Sequence, residues 1–255
     1  MGTLVLFNFL LIAIISLVLL IVKKNIKGEK AKNLTLLIAS IITILFHYSA
    51  FFYSIFTEGA IEYLREYRNL LLPIYPCNVV MWSCLVYPLC KNKESKLARF
   101  LADYIFWFGI LSTLVGMFAN VDFIMNPTLK DYEITKSIVA HATLLFNVLL
   151  FPVFGRIKID LFQNLKHIAI CIIEMLVIGA YCNLLIAVIG SEVAAYDVNS
   201  MFLIHSPFDG LAFLTYPVIA LIALPLYFLL FAVCEHFAYE KGERFYDRIK
   251  NRKNN

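Results

Sequence analysis

One cysteine and two histidines in this sequence could together perform nucleophilic chemistry. Cys77 ends the motif L-P-I-Y-P-C at residues 72–77. Proline is well tolerated at the first position of a helix, so we predict that a regular helix begins near Pro76. A thiol in the first helical turn faces unpaired backbone N–H groups, which stabilise the thiolate. Burial opposes this effect, so a small buried cysteine beside a kink is the structural alternative.

His47 and His141 are the two candidate bases. Counted at about 1.5 Å per residue from the outer ends of the predicted membrane spans, Cys77 lies about 12 Å deep, His141 about 8 Å and His47 about 14 Å. A thiol and imidazoles at one depth are the groups needed for thiol–imidazole catalysis. In that chemistry the base takes the thiol proton and later protonates the leaving group. Histidines that only form hydrogen bonds between helices are the alternative.

Polar side chains inside the second and sixth predicted spans extend this set. An ionisable group in hydrocarbon costs at least about 2.5–3.5 kcal/mol, which makes Glu174, near the middle of the sixth span, a functional candidate. We expect its carboxyl group to be paired or protonated. Hydrogen bonding between helices is again the structural alternative. Helical spacing predicts one polar face on each span, formed by Ser40, Thr43, His47 and Ser54 on the second and by His167, Cys171, Glu174 and Tyr181 on the sixth.

The composition identifies the environment that positions these residues. Of the 255 residues, 61% are hydrophobic and only 16% are charged, unlike a soluble domain. Seven stretches meet the length of roughly 20 mostly apolar residues that crosses a bilayer, at residues 3–22, 34–56, 69–90, 97–119, 136–154, 161–189 and 211–236. We therefore predict an all-α integral membrane protein, a seven-transmembrane-helix bundle that forms a single domain over residues 1–255.

The 22 Lys and Arg residues are distributed unevenly between the two sides of this bundle. Most lie in the first, third and fifth loops and in the tail 237–255, while the opposite side keeps Arg65, Arg68, Lys130 and Lys136. Because basic loops remain in the cytoplasm, we predict an N-terminus outside, a cytoplasmic C-terminus and a basic cytoplasmic tail. Anionic lipid headgroups account for these basic residues and for the net charge of +4, so no nucleic acid is expected as a partner.

The six cysteines give no sign of a metal centre or a disulfide framework. They lie inside the predicted spans or at their cytoplasmic ends, without a C-x-x-C pair or the Cys/His spacing of a zinc site. We therefore expect no metal and no cofactor.

The third-span motif and a second motif before the seventh span resemble those of a known family. L-P-I-Y-P-C is similar to the L-P-L-[HQ]-L-C pattern of YwaF-type bacterial membrane proteins and the related animal transmembrane acyltransferases, with Tyr75 in place of His or Gln. N-S-M-F-L-I-H-S-P at residues 199–207 is similar to their N-Y-M-F-L segment, which a basic residue and proline follow. His141 stands where the family has a histidine early in the fifth span, and Asp209 resembles its later acid. The resemblance implies seven spans in a bacterial plasma membrane.

This resemblance also implies a phospholipid acyltransferase, because the animal relatives place acyl chains on lysophospholipids with the motif cysteine and a histidine. Membrane phospholipids would then be the partners of the chain. Cys77 would accept the acyl group, His141 would be the general base, and His47 would be a further catalytic or orienting group. The substrate-binding or orienting residues would be Tyr75, Glu174, Asn199, His205 and Asp209.

Two other classes of function fit the same sequence. A small-molecule transporter or receptor would use the polar faces and Glu174 as a site between helices, although the sequence shows no inverted repeat. A non-catalytic envelope or assembly protein would need none of the polar faces.

The outer connection between the sixth and seventh spans is too polar for a simple tether. Residues 190–209 contain Ser191, Glu192, Asp197, Asn199 and His205, and no Lys or Arg. We expect the second half of this connection to fold back over the mouth of the bundle through Met201-Phe202-Leu203, as a lid.

The charge asymmetry predicts that residues 91–99 are cytoplasmic and residues 57–68 external. Cysteines placed singly in each loop can be labelled with a membrane-impermeant maleimide in intact cells. We expect labelling within residues 57–68 and none within residues 91–99. Strong labelling of a site in the first basic loop would contradict this topology.

Overall fold

A computed structural model describes residues 2–57, 59, 72–118, 128–189, 199–206, 211–240 and 242–253. Over these residues the chain is helical, with short connections and no strand. A π-helical turn, Tyr104–Phe108, interrupts the fourth helix, and a short 3-10 turn, Ser200–Phe202, precedes the seventh. The helices are α1 (Gly2–Asn25), α2 (Glu29–Thr57), α3 (Pro76–Leu89), α4 (Lys96–Phe118), α5 (Tyr132–Val153), α6 (Leu161–Ile189), α7 (Tyr216–Ala238) and α8 (Phe245–Lys253).

Six of the described helices, α1, α2, α4, α5, α6 and α7, are long and apolar enough to cross a membrane. α3 is apolar but has 14 residues. The first residues of the predicted third span, up to residue 71, lie outside the described part of the chain. The predicted start of the regular helix at Pro76 is confirmed. The all-helical architecture is confirmed with six candidate spans, while the seventh span and the orientation of the termini remain predictions.

The chain divides into two compact units, Met1–Arg156 and Ile157–Asn255. In the first unit α5 is central, because it packs against α1, α2 and α4 and is more buried than any other candidate span. Apolar side chains join α5 to α1 and α4 in two clusters, one formed by Leu4, Ile134 and Ile138 and the other by Ile15, Met117, Ala142 and Leu145.

The cytoplasmic end predicted for α3 is closed by side chains from two other segments. The last carbonyls of a helix have no N–H partners within it. The Lys93 ammonium donates to the carbonyls of Tyr87, Pro88 and Cys90 at 2.8, 2.9 and 2.7 Å. Asn33 of α2 also donates to the Pro88 carbonyl, at 2.8 Å. Burial lowers the pKa of Lys93, because its partly buried surroundings disfavour the charged ammonium.

In the second unit, α6 packs against α7, and a charged cluster fastens α8 to their ends. Glu235 of α7 is fully buried. Its carboxylate accepts hydrogen bonds from the Leu161 N–H at 2.8 Å and from the Arg248 guanidinium at 2.5 Å. Arg248 belongs to α8 and also lies 3.7 Å from the Asp160 carboxylate.

Removal of the Arg248 guanidinium should destabilise the protein, because the buried Glu235 carboxylate would lose its cation. Breaking a buried ion pair costs roughly 3–5 kcal/mol, and the partial exposure of Arg248 reduces the expected loss to about 1–3 kcal/mol. Thermal unfolding in detergent should show a lower Tm for Arg248→Met than for Lys250→Met, whose ammonium is exposed on the same helix. Adding Glu235→Gln to Arg248→Met should restore part of the loss. Equal Tm values for the two single variants would contradict this role of the ion pair.

Candidate functional site

A proline in α3 creates the polar contact around which the candidate site is arranged. Pro88 has no N–H, so the Cys84 carbonyl one turn earlier cannot receive the usual helical hydrogen bond. The Ser40 hydroxyl of α2 lies 2.8 Å from this carbonyl and equally far from the Leu36 carbonyl of its own helix, so its hydrogen can serve either acceptor. The Asn147 side chain of α5 donates to the Ser40 oxygen at 2.9 Å. We call the buried residues Ser40, Cys84 and Asn147 the three-helix contact.

His47 continues the face of α2 that meets α3. Asn33 bonds the Pro88 carbonyl of α3, and Ser40 enters the three-helix contact seven residues later. Another seven residues lead to His47, and this spacing keeps all three side chains on nearly one face of the helix. The predicted polar face of α2 is confirmed for Ser40 and Thr43, which are both buried.

The three-helix contact relates the depths of the predicted catalytic residues. Counted from the three-helix contact toward the same end of the first unit, His47 lies seven residues away along α2, Cys77 lies seven away along α3, and His141 lies six away along α5. At 1.5 Å per residue, these separations are about 10, 10 and 9 Å. The rings of Tyr53 and Tyr132 stack at 4.4 Å, so α2 and α5 meet again farther toward that end. Cys77, His47 and His141 therefore lie at about one level of the first unit, and direct contact among their side chains remains a prediction.

Cys77 occupies the first turn of α3, as its position after Pro76 predicts. Tyr75 is extended, with φ −122° and ψ 151°, and Pro76 is the first helical residue. The buried side chain of Asn78 accepts a hydrogen bond from the Tyr75 N–H at 3.1 Å, which fixes the start of the helix. Cys77 itself is a free, partly exposed thiol.

The helical position of Cys77 lies between the sides of α3 that meet α2 and α5. Helical spacing places it about 20° from Pro88, whose carbonyl accepts a hydrogen bond from Asn33 of α2. On the other side, it lies about 80° from Tyr87 by the same spacing. The Tyr87 ring packs against Phe151 of α5 with ring centroids 4.8 Å apart. Cys77 thus lies on the part of α3 that borders the helices carrying His47 and His141.

His141 of α5 is held in one tautomer. Its Nδ1 lies 2.8 Å from the Ser137 carbonyl oxygen one turn earlier, so Nδ1 carries the hydrogen and donates it. The Ser137 hydroxyl lies 3.5 Å from the same nitrogen. Nε2 therefore keeps its lone pair, which is the state that a general base requires.

The His141 imidazole packs directly on Gly116 of α4. A methyl group at position 116 would overlap the Cδ2 and Nε2 atoms of the ring, so glycine is needed for this close approach. The carbonyl of the neighbouring Met117 accepts a hydrogen bond from the Asn8 side chain of α1 at 2.6 Å. Asn8 and Met117 are buried, and their bond fixes the end of α4 beside the imidazole.

His47 is partly buried beside two aromatic rings. It meets the Tyr48 ring edge-on, with centroids 5.1 Å apart. Tyr48 in turn contacts Trp82 of α3, with ring centroids 6.2 Å apart. These ring contacts lie on the α3 side of α2, in agreement with the position of His47 above the three-helix contact.

The other predicted site residues are dispersed along the chain. Tyr75 is 38% exposed just before α3. Glu174 lies partly exposed on α6, and His205 is exposed after the 3-10 turn. Asn199 builds that turn, and Asp209 lies outside the described residues. Their predicted orienting roles and the charge state of Glu174 remain predictions.

The predicted polar face of α6 is shifted relative to the buried face. The buried face of α6 includes Ile168, Cys171, Met175 and Cys182. Cys171 belongs to both faces, Glu174 lies at the edge, and Tyr181 is 61% exposed. Tyr181 therefore lies off the buried face, because helical spacing defines a stripe but not the side on which a neighbouring helix packs.

A strained turn lies between α6 and α7. Met201 and Phe202 both have a φ of 55°. This left-handed conformation costs a residue other than glycine about 1–3 kcal/mol. The Asn183 side chain of α6 accepts a hydrogen bond from the Ser200 N–H at 2.9 Å. The Asn199 amide oxygen accepts from two backbone N–H groups at 2.9 and 3.3 Å, and its nitrogen donates to a carbonyl at 2.6 Å. These side chains hold the turn in its strained shape.

The turn is seated on α6 at a glycine. Met201 is fully buried. A methyl group at Gly179 would lie 2.8 Å from Met201 Cβ and 2.8 Å from Leu203 Cδ1, so the close approach depends on glycine. The segment Met201-Phe202-Leu203 packs back onto a helix, and its role as a lid remains a prediction.

Several buried polar residues that connect the helices or lie at their ends were not predicted from the sequence. An amide or carboxylate inside a predicted span is a usable signal, since it needs a partner there. The signal does not identify the partner: Asn147 bonds Ser40 across 107 residues of sequence. The missed residues are Asn8, Asn78, Asp103, Asn147, Asn164 and Glu235.

Comparison with known proteins identifies the family of the chain. Within the described ranges, no group of three or more His, Cys, Asp or Glu side chains could hold a metal ion. Neither a curated protein nor a solved structure matches the chain. A family model, that of the TMEM164 family, matches residues 2–234, which include Cys77, His47 and His141. With this match and the six described helices that are long and apolar enough to cross a membrane, the chain is a multi-pass membrane protein that belongs to the TMEM164 family.

Proposed function

We propose that this protein is a membrane-embedded phospholipid acyltransferase in which Cys77 carries the acyl group. The observation that supports the proposal most directly is the three-helix contact, from which the helical rise gives Cys77, His47 and His141 about the same depth. A thiol and imidazoles in an apolar unit are the groups that acyl transfer through a thioester requires. The similarity of residues 72–77 to the YwaF-type and animal acyltransferase pattern supports the same assignment.

The reaction has two halves that use the same base. His141 Nε2 takes the Cys77 proton, and the thiolate attacks the ester carbonyl carbon of a donor phospholipid. A carbon–sulfur bond forms, the ester carbon–oxygen bond breaks, and the imidazolium gives its proton to the departing lysophospholipid oxygen. An acceptor lysophospholipid then gives its hydroxyl proton to Nε2 and attacks the thioester. The carbon–sulfur bond breaks, and the thiolate regains a proton.

The remaining predicted residues complete this proposal. His47 would hydrogen-bond the departing or attacking oxygen from the α2 side. Seven spans with the N-terminus outside would place the site near the outer leaflet of a bacterial plasma membrane. The proposed orienting residues are Tyr75, Glu174, Asn199, His205 and Asp209.

A small-molecule transporter or receptor is the second candidate, because Glu174 places a carboxyl group within the apolar helix α6. Such a protein would bind its ligand without a covalent bond to Cys77. An acyltransferase pocket opens sideways to lipid, whereas a transporter needs routes to both aqueous sides.

Replacement of Cys77 separates these functions. Purified protein would be incubated with a phospholipid labelled in its acyl chain and a lysophospholipid acceptor, and new diacyl product would be measured. Cys77→Ala and Cys77→Ser should both abolish transfer, because a serine hydroxyl is far less acidic than a thiol. Cys90→Ser, at the other end of α3, is the control that should retain transfer. Full activity in Cys77→Ala would exclude the covalent mechanism, and no transfer by the wild type across a broad lipid panel would favour the transporter or receptor.

The position of His141 makes a separate prediction. His141→Ala should reduce transfer by about 10²–10⁴-fold, as removal of a general base does. Gly116→Ala should reduce it by about 10²-fold, because the added methyl displaces the imidazole from its place. Gly109→Ala is the matched control on the same helix, since its methyl would lie 2.9 Å from Val148 and 3.0 Å from Val80 and away from His141. Equal losses in the two glycine variants would indicate a general packing defect and contradict a specific effect on the base.

A further inference from the structure

The last helix turns back beside α7 instead of extending away from it. Gly242 has a φ of 105°, which favours glycine, and its N–H donates to the Asp247 carboxylate at 2.8 Å. Phe245 then packs against Phe228 of α7 with ring centroids 6.3 Å apart. Phe228 lies ten residues, or about 15 Å, before the end of α7 at Ala238. The start of α8 therefore reaches the level of a candidate membrane span.

One side of α8 is fixed to the second unit by charge. Arg248 binds the buried Glu235 carboxylate and lies close to Asp160. The Tyr246 ring also meets His236 of α7, with ring centroids 6.4 Å apart. These contacts fix which face of the helix points away from the protein.

The opposite side of α8 carries an aliphatic and a cationic side chain. Ile249 is 39% exposed, and Lys250 is exposed. By helical spacing these two residues lie about 100° and 200° around the helix from Arg248. Such a face at the end of a membrane span is typical of a helix in the membrane interface, where apolar groups enter the acyl boundary and cations meet headgroups.

We propose that α8 lies in the membrane interface and binds anionic phospholipid headgroups. Charge complementarity identifies the lipid, because the helix sequence F-Y-D-R-I-K-N-R-K contains three basic residues besides the paired Arg248, and a single acid. The contact of Phe245 with Phe228 places the same helix at the depth of lipid rather than in water. Ile249 enters the acyl boundary, and Lys250 meets the headgroups. This site is independent of the chemistry of Cys77.

The variant Ile249→Trp reports on this surface, because Ile249 is exposed on the proposed lipid face. The protein would be reconstituted in phosphatidylcholine vesicles that contain a brominated lipid, and the emission of the two native tryptophans would be subtracted. Brominated phosphatidylglycerol should quench the added emission more than brominated phosphatidylcholine at the same mole fraction. The expected local enrichment is about fivefold for each basic residue that reaches the surface.

Two double charge variants of the Ile249→Trp protein distinguish lipid binding at α8 from a general attraction of anionic lipid to the basic protein. Lys250→Gln with Arg252→Gln should reduce the preference for the anionic lipid. Lys23→Gln with Lys24→Gln removes the same charge at the end of α1 and should leave the preference unchanged. Equal quenching by the two lipids, or equal effects of the two double variants, would overturn the proposal. Absence of quenching by either lipid would show that α8 faces water or a protein partner, which would also overturn it.

Discussion

The backbone carbonyl of Cys84 is the group on which the arrangement of the first unit depends. Cys84 is fully buried, so water is not available to satisfy a free carbonyl there, and Pro88 removes the partner that the helix would supply. Ser40 replaces that partner from α2, and Asn147 bonds Ser40 from α5, at 2.8 and 2.9 Å. Three helices thereby share one buried contact, and the relative depth of the thiol and the two imidazoles follows from it.

Glycines and neutral amides complete the close packing around this contact. Apolar burial gives little preference for helix–helix over helix–lipid contact, so close approach and hydrogen bonds decide which helices associate. Gly109 and Gly116 let α4 approach its neighbours, and Gly116 receives the His141 ring. The second unit uses an ion pair between Glu235 and Arg248 at the end of its helices, where Arg248 remains partly exposed.

The sequence predicts local features of this fold better than its long-range contacts. Hydropathy predicts a span at residues 161–189, the bounds that α6 has, and Pro76 predicts the start of α3, because both signals come from neighbouring residues. Cys77 can also be singled out from its local motif. The bond between Ser40 and Asn147 and the fit of His141 on Gly116 join distant segments, so no local pattern encodes them.

The most direct test of the covalent mechanism is a search for an acyl group on Cys77. Purified protein would be incubated with a phospholipid labelled in its acyl chain, without an acceptor, and its peptides would be analysed by mass spectrometry. We expect a labelled acyl group on Cys77 that neutral hydroxylamine removes, as it removes a thioester, and that Cys77→Ala lacks. Formation of labelled diacyl product after addition of the acceptor, with no acyl group on Cys77 at any time, would contradict it.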